Sequence, residues 1–318
     1  MPNTTVKQQS APRLLGRPLG FLQQKLKSHS RTGWASYWFV LPILAVFVVL
    51  FVVPLVESFY YSLTDYNGYV APQFVGFANY VQIWSDPSML SALGFTLIYA
   101  VSTTIIITLL AIPLALAFNR RFFARAAVRS VFFFPAVPSV AILGLVWGFI
   151  LNPLGSGALN SIIGLIGLAP IPWTSDGTLA QVSVILVAVW SATGWHAMLY
   201  LAYLQAIPSD IFEAADIDGA SRWQKTRSLT LPLLTPAMAI SQLLLLTGGL
   251  KVFDLPFTLT KGGPGFSTRT LTQSIIESGI AQGEYGKASA LAVLFFIAVG
   301  IIVVAQLLLS KKIQDRYS

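Results

Sequence analysis

Residues 213–232 read EAADIDGASRWQKTRSLTLP, a charged, helix-prone connector between two long apolar segments. Glu213, Asp216 and Asp218 come first, and Arg222, Lys225 and Arg227 follow. Charge at this density does not lie in hydrocarbon, so the chain leaves its apolar surroundings here. Pro208, then Ser209-Asp210 ahead of Ile211-Phe212-Glu213, forms a helix start with acids placed favourably in the first turn. Ala214, Ala215 and Gly219 keep one face thin enough for another helix or a groove to approach, and Gly219 offers a bend between two short helices. Pro232 opens the next apolar run. The stretch reads either as a docking element or as a solvated amphipathic loop; only docking accounts for the small-residue face.

The flanking chain explains why such a connector stands out. Of 318 residues, 55% are apolar and only 10% charged, with a mean hydropathy of +0.71. A soluble domain carries about 25% charged residues, so lipid is the expected solvent. The net charge is +8 and the pI near 9.7, and the placement of the charges gives their meaning. Sixteen of the twenty basic residues fall in four segments: Lys7 to Arg31, Arg120 to Arg129, Arg222 to Arg227, and Lys311 to Arg316. These alternate with apolar stretches, as the positive-inside rule requires, and need no nucleic-acid partner. The absence of cysteine excludes disulfides, thiolate metal sites and cysteine nucleophiles. His29 and His196 are the only imidazoles, so no metal site is expected.

Six stretches are long enough to cross about 30 Å of hydrocarbon: 36–61, 92–118, 130–151, 179–205, 232–256 and 288–310. Pro42, Pro54, Pro113, Pro135 and Pro138 lie within them and mark kinks. Trp34, Tyr37 and Trp38 at one end of the first span, with Tyr60, Tyr61 and Tyr66 at the other, read as interfacial belts. The expected fold is an all-α integral membrane protein with six transmembrane helices and both termini cytoplasmic. A tail of 1–33 precedes the membrane core, 34–310, with its cytoplasmic two-helix segment at 208–230, and a tail of 311–318 ends the chain. The apolar run after the N-terminal tail is too long for a signal peptide and reads as a retained anchor. A short basic surface helix is expected near 18–30. The loops 62–91 and 152–178 carry few charges and belong outside. The last outer loop, flanked or occupied by Lys251, Lys261, Arg269 and Lys287, is the exception. Residues 159–172 are too short to span and read as an outer interfacial helix. No internal repeat is visible.

Glu213-Ala214-Ala215, Asp218-Gly219-Ala220 and, after nine residues, Leu229-Thr230-Leu231-Pro232 together resemble the EAA coupling motif of bacterial ABC importer permeases. Leu229 stands where isoleucine is commoner. Phe74-Val75-Gly76-Phe77-Ala78-Asn79-Tyr80 with Asp86-Pro87, and Thr260-Lys261-Gly262-Gly263-Pro264 with Thr270 and Tyr285-Gly286-Lys287-Ala288-Ser289-Ala290, resemble outer-loop signatures of the carbohydrate branch, of maltose or glycerol-phosphate type. The resemblance spans roughly residues 35–310. It implies that Glu213, Ala214, Ala215, Asp218, Gly219, Ala220, Leu229 and Pro232 form two short helices seated in a cleft of a separate ATP-hydrolysing subunit. It further implies two such ATPase subunits, which hold ATP and Mg, a second homologous permease, an extracytoplasmic solute-binding protein, and a place in the bacterial cytoplasmic membrane.

No G-x-x-x-x-G-K-[ST] phosphate loop is present, and Gly262-Gly263-Pro264-Gly265 lacks the following Lys-Ser or Lys-Thr. No catalytic residues and no cofactor of this chain's own are expected. Candidates for a substrate path are Trp195 and His196, about ten residues from the inner end of the fourth span, and Lys251, Phe253 and Asp254 near the outer end of the fifth. Trp195 and His196 could meet a sugar's apolar face and hydroxyl edges, or could make a helix–helix hydrogen bond beside packing aromatics. Lys251 and Asp254 could pair locally or face the passage with Phe253. Trp147 and Asn152 are weaker candidates, and Glu57 is expected to snorkel or pair at the surface. The alternative class is a stand-alone ion-coupled carrier.

Overall fold

The computed structural model describes residues 33–315, with side chains from residue 38 onward. The expected basic helix near 18–30 lies outside the described residues. Within them the chain is helical, and its one β feature is an isolated antiparallel bridge between Thr64 and Phe74. Contacts divide the chain into a unit ending at Glu57 and a second from Ser58 to Ser318. In the first, α1 (Gly33–Phe47) runs through a π turn (Val48–Val52) into α2 (Val53–Tyr61), whose residues from Ser58 onward belong to the second. The π turn lies just ahead of Pro54, whose missing N–H breaks the regular ladder. The stretch Trp38–Tyr61 is long and apolar enough to cross a membrane. Glu57 is exposed.

The second unit holds α3 (Ala78–Ser85), α4 (Pro87–Asn119), α5 (Arg125–Phe133), α6 (Val140–Ile150), α7 (Ala158–Leu165) and α8 (Gly177–Ala206). Then come α9 (Ser209–Ile217), α10 (Arg222–Lys225), α11 (Leu231–Leu233), α12 (Thr235–Leu250), α13 (Asp254–Thr260), α14 (Leu271–Ile276) and α15 (Tyr285–Gln314). With Trp38–Tyr61, the helices α4, α8 and α15 are each long and apolar enough to span alone.

The kink expected at Pro135 and Pro138 is a sharp break in the third span, and the fifth expected span is broken as well. Arg125–Ala136 and Val140–Ile150 meet at 92°, and Arg222–Leu233 and Thr235–Leu250 at 62°. The number of spans is therefore four, or up to six if each bent pair counts as one. Proline is the physical cause. Pro135 precedes the first bend and Pro138 lies within it, and Pro232 and Pro236 flank the second; each removes a donor and crowds the preceding turn. The fifth span also differs in its limits from the expected 232–256. Its helix begins at Arg222, and α12 stops at Leu250 with Lys251 as its C-cap, before α13 begins at Asp254.

Small residues let these helices approach. Ala92, Ala100, Ala111 and Ala115 on α4, with Ala180 and Ala197 on α8, are fully buried, and Phe95, Phe118 and Tyr200 fill the space beside them. A Cβ on Gly249 of α12 would lie 2.8 Å from Ala100 Cα, and one on Gly194 of α8 would run into the Phe132 carbonyl. Between helices in lipid, such close packing supplies the attraction that water would otherwise drive.

Three connectors gather at one end of this unit. Asn79 Nδ2 donates to the Ser62 and Thr64 carbonyls at 2.9 and 2.8 Å, and Lys287 Nζ pairs with Asp86 Oδ2 at 3.2 Å. Ser91 Oγ donates to Phe266 O at 3.0 Å, and Gln181 Nε2 to Ser267 O at 2.7 Å. Arg269 pairs with Glu277 and lies over the Phe266 ring. Burial pushes its guanidinium down from the ordinary value, and Asp86 opposes that shift. The expected interfacial piece 159–172 is helical only over α7, where buried Asn160 accepts from Trp173 Nε1 at 3.0 Å. Residues 120–124 and the 207–230 segment lie at the opposite end of α4 and α8.

Gly194→Val should cost about 1–3 kcal/mol through backbone overpacking, read as a lower melting temperature of the detergent-solubilised protein. The Ser88 hydroxyl, at 2.7 Å, holds the Asp86 carboxyl below its ordinary pKa, helped by the Ser88 amide and by Lys287. The stability this carboxylate adds is therefore complete above the ordinary carboxylate range and is lost as pH falls through its lowered value. Asp86→Ala removes the α4 cap as well as the pair. It should cost about 1 kcal/mol at neutral pH and flatten the acid limb of a melting-temperature profile.

Candidate functional site

The 208–230 segment folds as two helical pieces joined by a tight bend. Pro208 is the N-cap of α9, without a side-chain cap bond, and Asp210 lies in the first turn. Gly219 has φ +74, a left-handed backbone that glycine adopts without strain, and nothing stands within 4 Å of where its Cβ would be. Ser221 and Gln224 then form a reciprocal capping box that starts α10. Lys225 Nζ reaches back to Asp216 Oδ1 at 2.5 Å and ties the two pieces into one knuckle.

Glu213, Ala214, Asp218 and Gly219 are exposed, while Ala215, Ala220, Leu229 and Pro232 are half-buried. Glu213 enters none of the ion pairs among the described residues. The two pieces also carry exposed apolar side chains, Ile217 87% and Trp223 68% accessible. Pro232 does not start a helix. The turns from α10 continue through a π turn (Thr226–Thr230) into α11, and the bend falls at Leu234. Thr230 Oγ1 donates to Lys225 O at 3.2 Å and Thr235 Oγ1 to Pro232 O at 2.7 Å, occupying carbonyls near the disrupted ladder.

The path candidates come together in one place. A cavity of about 430 Å³ is lined by Tyr99 and Thr103 of α4, Ser191 and His196 of α8, and Lys251, Phe253 and Asp254 after α12. A smaller one of about 200 Å³ adds Trp195 and the kinked residues Pro135 and Pro138, and shares Val140, Ser191, Ala192 and His196 with the first. His196 is buried, with Nδ1 2.8 Å from Ser241 Oγ on α12 and its ring set edge-on to Trp195. The helix–helix hydrogen bond and the cavity wall are thus both present. Lys251 and Asp254 form no ion pair with one another among the described residues, although both line the larger cavity.

Trp147 and Asn152 line neither cavity. Trp147 packs edge-on against Trp190, and the Asn152 backbone receives Asn160. Sequence reasoning passed over Tyr99, Thr103, Ser191 and Ser241. The available signal was a hydroxyl within an apolar span, but such side chains usually bond their own helix, as Thr103 Oγ1 does to Tyr99 O at 2.7 Å. Among the described residues no cluster of three or more His, Cys, Asp or Glu could hold a metal.

Residues 107–315 match the family described as "binding-protein-dependent transport system inner membrane component". The chain is 32% identical over 293 residues to a probable starch degradation products transport system permease protein of Thermoanaerobacterium thermosulfurigenes, covering 92% of this chain and 98% of that one. It is 35% identical to a multiple sugar-binding transport system permease protein of Streptococcus mutans, covering 88% and 97%. With the trehalose/maltose transport system permease protein of Thermococcus litoralis it shares 33%, covering 87% and 93%. Its fold is also that of a chain in the crystal structure of a bacterial ABC transporter involved in import of the acidic polysaccharide alginate, with a TM-score of 0.78, 22% identity and coverage of 91% and 99%. The family match and these near full-length relatives make the chain a member of the binding-protein-dependent transport system inner membrane component family, an ABC importer permease rather than an enzyme.

Proposed function

We propose that this permease imports a sugar or oligosaccharide, crossing the bacterial cytoplasmic membrane six times with both termini inside. It pairs with a second homologous permease, receives solute from an extracytoplasmic binding protein, and is driven by two ATPase subunits that hold ATP and Mg. The relatives' names support the sugar class, as do cavity-lining hydroxyls, Phe253 stacked on Phe257, and the polar Lys251 and Asp254. The six crossings are supported by the two proline-bent helix pairs, each counted as one span, and by the basic residues in alternate connectors.

One observation carries the coupling role. The exposed knuckle 213–225 is continuous through α11 and one bend with α12, and α12 and its C-cap supply Leu244, Leu245, Gly248, Gly249 and Lys251 to the cavity wall. Force applied to the knuckle by an ATPase subunit therefore moves that wall. ATP binding shifts the two-state equilibrium only by contacting the two states differently, and Glu213 with the Ile217 and Trp223 faces offers such contacts.

Glu213→Lys and Gly219→Leu should abolish ATP-driven uptake and loosen the ATPase subunits in pull-down, while the amount of chain in the membrane stays unchanged. Uptake at the parental rate would refute the lever. Removing a charged hydrogen-bonding group from the cavity should weaken substrate retention about tenfold. Lys251→Ala and Asp254→Ala are thus expected to raise the half-saturating solute concentration by that factor. Binding of solute to the isolated soluble receptor should be unaffected.

A further inference from the structure

A groove of about 390 Å³ lies on the other side of the lever, where Arg227, Leu231, Pro232 and Met238 face Ser310 and Ile313 of α15. Its two walls change character at the same level. On one, Arg227 precedes the run Leu229-Thr230-Leu231-Pro232-Leu233-Leu234; on the other, the apolar stretch of α15 ends at Ser310 and is followed by Lys311 and Lys312. Both helices thus pass from hydrocarbon into water here. Gln306, one turn before Ser310, donates to the carbonyl of the groove-lining Ala239 at 3.5 Å and joins the two helices.

Arg227 enters none of the ion pairs among the described residues, whereas its neighbour Lys225 is paired with Asp216. Among the described residues no acidic side chain lines the groove, and Ser310, Thr235 and Gln242 are its other polar groups. An unpaired cation at the rim of an apolar slot attracts an anion that also carries apolar chains. We propose that this groove is a binding site for an anionic phospholipid, with the phosphate on Arg227 and an acyl chain along Leu231, Met238 and Ile313. Lys311 and Lys312 strengthen the local attraction for anionic headgroups. A lipid seated there bridges the π turn behind the knuckle to α15 and so resists movement of the lever. That consequence rests on the coupling role proposed above; occupancy of the site does not.

The test is crosslinking of a photoactivatable phosphatidylglycerol to the assembled transporter in nanodiscs, mapped by peptide mass spectrometry. Label is expected at 227–242 and 306–313. Arg227→Gln should reduce it about fivefold, since one basic side chain near the surface contributes about 1 kcal/mol to anionic-lipid attraction. Arg227→Lys should restore most of it, and Ser310→Trp should block it. An equivalent phosphatidylcholine probe should label weakly, and inorganic phosphate should not compete. Equal labelling of the parental, Arg227→Gln and Arg227→Lys proteins would overturn the site. Competition by phosphate would assign the groove to a free anion, and absence of label in the assembled transporter would assign it to a neighbouring subunit. Either result would overturn the proposal. Because the readout is label rather than transport, a failed lever and an empty groove give different results.

Discussion

Lipid offers no hydrogen bond to a backbone group, so every break in a spanning helix must be repaired by protein or placed beside a cavity. The rest of the molecule follows from where this chain breaks its helices. Pro135 and Pro138 turn one span through 92°, and Pro232 and Pro236 turn another through 62°. The first bend leaves Pro135, Pro138 and Val140 on the cavity wall beside His196. The second puts threonine hydroxyls on nearby carbonyls and leaves the knuckle joined to α12 by helical turns rather than by a slack loop. Pro113 has no such effect, because α4 continues unbroken through it, packed against both α8 and α12.

The family-like passages outside the knuckle have a structural meaning of their own. Asn79 fixes the chain at Ser62 and Thr64, Asp86 caps α4 and holds Lys287, and Gly286 leaves room for the Thr64 carbonyl. Arg269 with Glu277 and Phe266 ties the loop before α14 to its own helix, while Ser91 and Gln181 bind it to α4 and α8. This end of the bundle is held by a polar latch among connectors distant in sequence. Two of the four basic residues in or beside the last loop expected outside, Arg269 and Lys287, are part of it, each paired with a carboxylate.

The bend in the 208–230 segment was legible because its signal is local. Gly219 between two short helix-prone pieces offered a bend, and at φ +74 it is that bend. The role of Pro232 was harder to read. Proline both opens and interrupts helices, and only the continuous turns from Arg222 reveal that it interrupts one here. The pairing of Lys251 with Asp254 looked plausible at a spacing of three, but that spacing brings side chains together only inside one helix. The helix ends between them, and they face the cavity instead.

By itself the sequence determined the membrane setting, the helical class, the long spans and the position of the knuckle. Apolar length, charge placement and capping chemistry act over a few residues and need no partner. The angles of the broken spans, the convergence of Tyr99, Ser191, His196, Lys251 and Asp254 on one cavity, and the His196–Ser241 bond were decided only by tertiary structure. Those features depend on how closely glycine- and alanine-faced helices approach, and that packing is a property of pairs of helices far apart in the chain.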